Sequence, residues 1–465
     1  MSFASTLPAL GRLAALLLAS AIGVPAQAAD PAGASMPLVV SERFAAAQVA
    51  DEPTPGALGP AWWRVLAAPQ LEELMARLPR GNTALAAAAA RLAIARADAG
   101  HAAAEGRPRV DVEAGASQAR GPLINAAGGS GSLFTTRLGI SWAPDLFGRL
   151  AANRDASRND AAAAEADLAA VRLAMEVDLA SAWVRYQAAT AERELASQAV
   201  VLRAEQAAMV SRRHALGFLS GEAEETARRR LAEARLKELH LGTEREDAAA
   251  AIAFLLGEAK PIELAPAPLV AIPPIPPGIP AAVLARRADV RAALDRLAAA
   301  DARVRAARRT LLPGLVLTGS GGAASAGLGA LLSAAAQNLT LGVVFGLPLF
   351  DGGRHKAEVA RRKGERELAE AHLRADVLGA LLGVDAALRE ESEGRAAVAV
   401  LESNAAEAGR HLAAVTRQAQ VGAASRMAVM EASLANNQAR MDLSRLAGAR
   451  ADASLHLIGE LGGAW

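Results

Sequence analysis

The chain has 465 residues, with 50 basic and 49 acidic side chains, no cysteine, and a hydrophobic content of 52%. Near-zero net charge excludes the basic surface that nucleic-acid binding needs. The missing cysteine removes disulfides, thiolate metal sites, thiol nucleophiles and a lipid attached through that residue. The seven histidines never fall at a ligand spacing such as HxxxH, so no metal or cofactor is expected.

In chain order, residues 1–28 read as a signal peptide. Arg12 starts it, Leu13 to Val24 form a short apolar run, and Ala26-Gln27-Ala28 gives a small-x-small cleavage pattern. That run is too short for the roughly twenty residues that span a bilayer. Residues 29–80 are expected to be an extended segment, dotted with proline between Asp30 and Pro60.

The rest is a tandem repeat, residues 81–260 and 281–465, which superimposes on itself after a shift of about 205 residues. Pro108 lands on Pro313, and Asp145-Leu146-Phe147-Gly148-Arg149 meets Pro348-Leu349-Phe350-Asp351-Gly352-Gly353-Arg354. Between the halves, 261–280 holds eight of the 22 prolines and reads as a stiff crossover.

Each half repeats one order of elements. A helix (Thr83 to Glu105; Ala281 to Leu311) precedes two strands of period two, near 109–118 and 135–143, then near 314–320 and 338–348. A helix of more than sixty residues without proline follows, from Leu150 and from His355. It turns at Leu216-Gly217-Phe218-Leu219-Ser220 or Val421-Gly422-Ala423-Ala424-Ser425, glycine ending one helix and serine capping the next. A helix of some 36 residues returns, so the hairpins span 150–257 and 355–460. A return helix and the helix before the strands, end to end, match one long helix in length.

The strands alternate apolar with polar residues, which fits either an ordinary half-buried sheet with aromatics capping its core or a membrane barrel. Membrane strands need roughly nine to eleven positions, the length found here. Phe134, Trp142, Phe147, Phe345 and Phe350 lie in or beside them, as an interfacial girdle would. Four strands cannot close a barrel, since small barrels have about eight; a membrane barrel must therefore be shared between chains. A transmembrane helix within Thr310–Phe350 is excluded by its glycines and prolines. Arg228-Arg229-Arg230 with Glu222, Glu224 and Glu225 reads as a solvated face beside the first turn. Asp351-Gly352-Gly353-Arg354 lacks the GxxxxGK[ST] pattern of a phosphate loop.

Several segments together resemble the TolC-like outer membrane factors, the outer-membrane channels of resistance-nodulation-division tripartite efflux systems. They are Trp62-Trp63 with Pro69, Leu71 and Leu74, then Trp142-Ala143-Pro144-Asp145-Leu146-Phe147-Gly148-Arg149, Leu284-Ala285-Arg286-Arg287-Ala288-Asp289-Val290, and Leu347 to Arg354. The chain departs from that family at Ala288, where proline is usual, at Leu294, where glutamate is frequent, and in lacking a cysteine for lipidation.

The resemblance implies a mainly α fold with a membrane β-barrel: a homotrimer sharing twelve strands above a periplasmic α-helical tunnel. It implies an outer-membrane location in a Gram-negative bacterium, contact with outer-membrane lipid, and no enzymatic reaction. Partners would be a periplasmic adaptor protein, docking at Leu216–Ser220 and Val421–Ser425, and an inner-membrane efflux transporter. Met427 and Glu431 occupy the positions of a periplasmic gate. Three such acids near one axis would repel one another and respond to pH. The function expected is a passive exit duct; the alternative is a periplasmic helical scaffold or adaptor-like protein without a barrel.

Overall fold

The computed structural model describes residues 61–120, 130–268, 272 and 280–463. The signal-peptide reading of residues 1–28 lies outside them, as do 29–60 of the expected extended segment and most of 269–279. A 3-10 turn, Trp62–Leu66, leads to helix α1, Pro69–Gly81. Here the expectation of an extended chain up to residue 80 is corrected. Pro69 sits in the first turn, where its missing N–H is not needed, and Leu71, Leu74, Met75 and Leu78 form a buried stripe at helical spacing.

The first half continues with α2 (Thr83–Ala104), β1 (Arg109–Arg120), β2 (Ser130–Trp142), α3 (Arg149–Ala215) and α4 (Gly221–Leu255). The second half has α5 (Pro280–Arg286), α6 (Ala288–Arg308), β3 (Gly314–Ser325), β4 (Gln337–Gly346), α7 (Arg354–Gln420) and α8 (Arg426–Glu460). The repeat is metrical. Both long helices, α3 and α7, have 67 residues, and both return helices, α4 and α8, have 35. At 1.5 Å per residue the long helices run about 100 Å.

Both long helices start in the same way. The Asp145 carboxylate accepts from the backbone N–H groups of Leu150 and Ala151, and that of Asp351 accepts from Gly353 and His355. Negative charge at a helix N-terminus satisfies orphan donors and complements the dipole. Gly148 and Gly353, at φ 76° and 89°, turn the chain out of the sheet where a Cβ would be strained. This accounts for the glycines of the Asp351–Arg354 run.

Short helices stack end to end at two seams. Asn82 caps α2 by accepting from Leu85 N–H, and its Nδ2 donates to the Leu255 carbonyl at the end of α4, 2.8 Å away. The backbones meet so closely there that a Cβ at Gly81 or Gly257 would overlap the opposite carbonyl oxygen. At the second seam Arg287 donates to Glu460 at the end of α8 and to Asp289 in the first turn of α6. The single helix expected over Ala281–Leu311 is therefore broken. Arg287 adopts an extended backbone, ψ 127°, so that it caps α6 and reaches α8.

The main core sits where the turn at Trp62 and helix α1 clasp the hairpins. Trp62, Leu71 and Leu78 pack with Leu179, Trp183, Ile252 and Leu455 of α3, α4 and α8. Elsewhere alanines dominate the buried helix faces, as in α3 and α6, which allows close approach between neighbours. The four strands form one antiparallel sheet in the order β1-β2-β3-β4. No helix among the described residues is long and apolar enough to cross a membrane.

Candidate functional site

Residues directly opposite one another in the ladders point to the same face of a sheet. Val110 pairs with Ile140 and Val112 with Leu138. Trp142 pairs with Leu317, Leu317 with Val343, Gly319 with Leu341, and Leu315 with Phe345. One face is thus apolar across all four strands. The other face carries Arg109, Asp111 and Glu113, with Ser141, Gly139 and Arg137 respectively opposite them, and Thr318, Ser320 and Thr340 further along. The one strand charge on the apolar face, Arg120, is the last residue of β1. Many apolar side chains remain exposed, among them Leu339, Leu341 and Val343. Both edges, β1 and β4, lack a partner strand among the described residues.

Four of the five aromatics expected at a membrane interface gather at the helix end of the sheet. Trp142 and Phe345 stand on the apolar face, and Phe147 and Phe350 lie in the turns leading to α3 and α7. Phe134 is eight residues further along β2, also on the apolar face. At 3.3 Å per residue that is about 26 Å, close to the height of a membrane-facing band.

The helical layer also has two distinct faces. The residues after α4 cross α3 as a strap. Tyr186 Oη donates to the Leu264 carbonyl and accepts from its N–H, at 3.0 and 3.3 Å. Gln187, 1% exposed, accepts from Ala267 N–H at 2.8 Å, while its Nε2 reaches the Ala265 carbonyl and Gln70. These bonds pin the half-buried Leu264 and Ala267 and the exposed Ala265 to α3. Arg185, Ala189, Glu192, Ala196, Ala199 and Arg203 recur at intervals of three and four on the opposite side of α3, and line recesses shared with α4 and α8.

The two hairpin tips are near copies. Gly217 and Gly422 take φ 77° and 78°, and Ser220 and Ser425 accept from the N–H three residues on. Leu216, Phe218 and Val421 are exposed there, while Leu219 and Ala424 are half-buried. The first tip is further tied, His214 Nδ1 lying 2.8 Å from the Leu219 carbonyl and Glu224 accepting from Ser211 and Arg228. The Arg228–Glu224 pair belongs to one helix, and Arg229 meets Thr226.

Beyond the second tip, Met427 is half-buried and Glu431 exposed, one turn apart on α8. Glu431 shares its recess with Arg203 and Glu233 of α3 and α4 and with Arg230. Burial, then the Arg230 guanidinium, lower the Arg203 pKa, while Glu431 and Glu233 oppose that shift. At the start of α8, Arg426 donates from Nε and Nη2 to both oxygens of Glu205 on α3. This bidentate pair joins the two hairpins. Neither it nor the strap is visible as a motif, although the chain's single tyrosine, in an alanine-rich helix, marks the strap's anchor.

Among the described residues no group of His, Cys, Asp or Glu could hold a metal ion. The features that remain are a two-faced sheet with open edges and long helices with a strap on one side. The family model described as outer membrane efflux protein matches residues 75–258 and 279–463, once for each half of the repeat. The chain belongs to the outer membrane efflux protein family.

It is 30% identical over 424 residues to the pyoverdine export outer membrane protein OpmQ of Pseudomonas putida, covering 87% of this chain and 88% of that one. It is 29% identical to the outer membrane protein OprJ of Pseudomonas aeruginosa over 263 residues, 54% of this chain and 55% of the other. The Campylobacter jejuni CmeC outer membrane channel shares its fold with a TM-score of 0.80 at 20% identity, over 90% of this chain and 91% of the channel. So does the open-state Neisseria gonorrhoeae MtrE outer membrane channel, with a TM-score of 0.79 at 23% identity, over 92% and 96%.

Like its relatives, this efflux protein is an outer-membrane exit duct of a Gram-negative bacterium, its helices forming the periplasmic tunnel. A membrane barrel requires an apolar face toward lipid and a polar face toward its lumen, and this sheet has one of each. The alternative of a scaffold without a barrel is set aside by this membership.

Proposed function

We propose that three copies of this chain close a twelve-stranded barrel and a tunnel of helices, and that the assembly conducts cargo passively, with no reaction of its own. The open edges β1 and β4 carry this reading. In lipid every backbone donor and acceptor must be paired, so a sheet with one apolar face and two bare edges has to meet further strands. Four strands per chain make twelve in three copies.

The polar lumen face mixes Arg109 and Arg137 with Asp111 and Glu113, and β3 and β4 carry no charge at all. Such a wall holds no strong bias for either sign. Relatives are named for pyoverdine and for toluene efflux, which suits a duct whose cargo is chosen by the pump that feeds it. The apolar tip residues Leu216, Phe218 and Val421 offer an adaptor protein a small hydrophobic footing at the far end. Met427 and Glu431, beside the Arg426–Glu205 pair, form the constriction. The strap cannot cross the bore without blocking it, so the Glu192, Arg203 and Glu431 side of the wall faces the lumen.

Purified full-length protein in a planar lipid bilayer tests the duct. An ohmic current that needs no energy source is expected, and its absence would overturn the reading.

A further inference from the structure

Between α3, α4 and α8, on the side of the wall away from the strap, lies a recess of about 490 Å³. Its floor is made of small side chains such as Ala189 and Ala248, together with Gly448. Glu192 enters it from α3 and is only 7% exposed. Its carboxylate has no hydrogen-bond or ion-pair partner among the described residues.

Arg185 and Arg445 also line the recess, but each is paired with another carboxylate. Arg185 pairs with Asp452 at 2.8 Å and Arg445 with Asp442 at 3.2 Å. Asp247 of α4 also lines the recess and has no cation within 4 Å among the described residues. The Glu192 oxygens are not themselves buried, so the carboxylate opens into the recess, where a ligand can reach it.

We propose that this recess binds organic cations, an ammonium group on a compact apolar body, as they pass along the wall; this rests on the duct reading above. The ammonium would meet Glu192, and the apolar body would lie on the alanine floor. The volume suits a small organic molecule rather than a bare ion. A metal ion is a poor fit, since no three potential ligands converge among the described residues.

Burial raises the Glu192 pKa to about 7. Glu244 of α4 and Asp442 of α8 add to that rise, while Arg445 of α8 and Lys237 of α4 oppose it. The carboxylate is therefore protonated below neutrality and charged above it, and an organic cation would bind better on the alkaline side.

Benzyltrimethylammonium is a suitable probe because its own charge does not titrate. Isothermal titration calorimetry on the purified full-length protein in detergent should show saturable binding at pH 8.5 and at least tenfold weaker binding at pH 5.5. Glu192→Gln should weaken binding at pH 8.5 at least tenfold and remove the pH dependence. Neutral benzyl alcohol should bind wild type and Glu192→Gln alike. Should Glu192→Gln fail to fold, Ala449→Leu decides, because it narrows the recess at an exposed position and should weaken binding while the pH dependence persists. Absence of saturable binding to wild type at pH 8.5, or equal affinity for folded Glu192→Gln, overturns the proposal. Bilayer conductance of the same sample separates the two failures: no binding with normal conductance removes only the recess, whereas no conductance removes the duct.

Discussion

Arg426 and Glu205 face one another across the two helical hairpins, joined by two parallel hydrogen bonds of 3.0 and 3.1 Å. One residue opens α8 just past its tip, and the other lies in the last third of α3. Parallel guanidinium–carboxylate bonds fix direction as well as distance, and this pair ties the two hairpins together near the second tip.

Arg426→Ala should let the hairpins separate and raise the resting conductance of the duct several-fold in planar bilayers. The exchange Arg426→Glu with Glu205→Arg should bring it back toward wild type. The Glu205 pKa is lowered, chiefly by the hydrogen bond from Arg426. A lowered carboxylate pKa means that the contact persists above the ordinary value of 4.5 and is lost as pH falls through the lowered one. Conductance should therefore rise with acidification below that range, and Arg426→Ala should blunt the rise. Unchanged conductance in Arg426→Ala would remove the pair from gating.

The two faces of the sheet predict opposite outcomes for adjacent residues of β4. Leu341 is on the apolar face and Thr340 on the polar one. Leu341→Arg should cost about 2–4 kcal/mol near the bilayer midplane and reduce the assembled protein recovered from outer membranes. Thr340→Arg should assemble normally and shift the channel's ion preference toward anions. Equal recovery of both variants would contradict the assignment of faces.

The first seam between short helices depends on what Asn82, Gly81 and Gly257 allow. Asn82→Ala removes a helix cap and the bond to the Leu255 carbonyl, and should cost about 1–2 kcal/mol. Gly257→Ala meets the Gly81 carbonyl and a φ of 71°, so overpacking should cost about 1–3 kcal/mol. Chemical denaturation followed by circular dichroism measures both. A Gly257→Ala protein as stable as wild type would show that the backbones do not meet at that seam.

Gln187→Leu should leave the half-buried Ala267 N–H without its partner, while the Ala265 carbonyl keeps its bond from Gln70, at a cost of about 1 kcal/mol. Limited proteolysis should then cut the crossover between the halves faster than in wild type, while α3 stays intact. Cleavage at the wild-type rate would mean that Tyr186 and Gln70 hold the strap without Gln187.

Much of this architecture is legible in the sequence because it is periodic. Alternation from Val110 to Ala116 and from Leu339 to Phe345 gives the strands, and the absence of proline after Leu150 and His355 gives the long helices. Gly217 with Ser220, and Gly422 with Ser425, mark the tips by local backbone chemistry. Contacts between distant segments leave no such mark. The helical stripe of α1 is legible at Leu71, Leu74, Met75 and Leu78, yet the prolines upstream favour an extended reading. The break at Arg287 depends on Glu460, 173 residues away, and the strap on Gln187, 80 residues from Ala267. Glu192 looks like any polar residue on an alanine-rich helix until α4 and α8 enclose it.

The central claim is that one chain supplies a third of a closed barrel. The most direct test is the mass of the native protein, extracted from outer membranes in mild detergent and measured by light scattering with the detergent contribution subtracted. A particle of three chains is the predicted result. A particle of one chain would leave β1 and β4 bare in lipid and contradict the shared barrel.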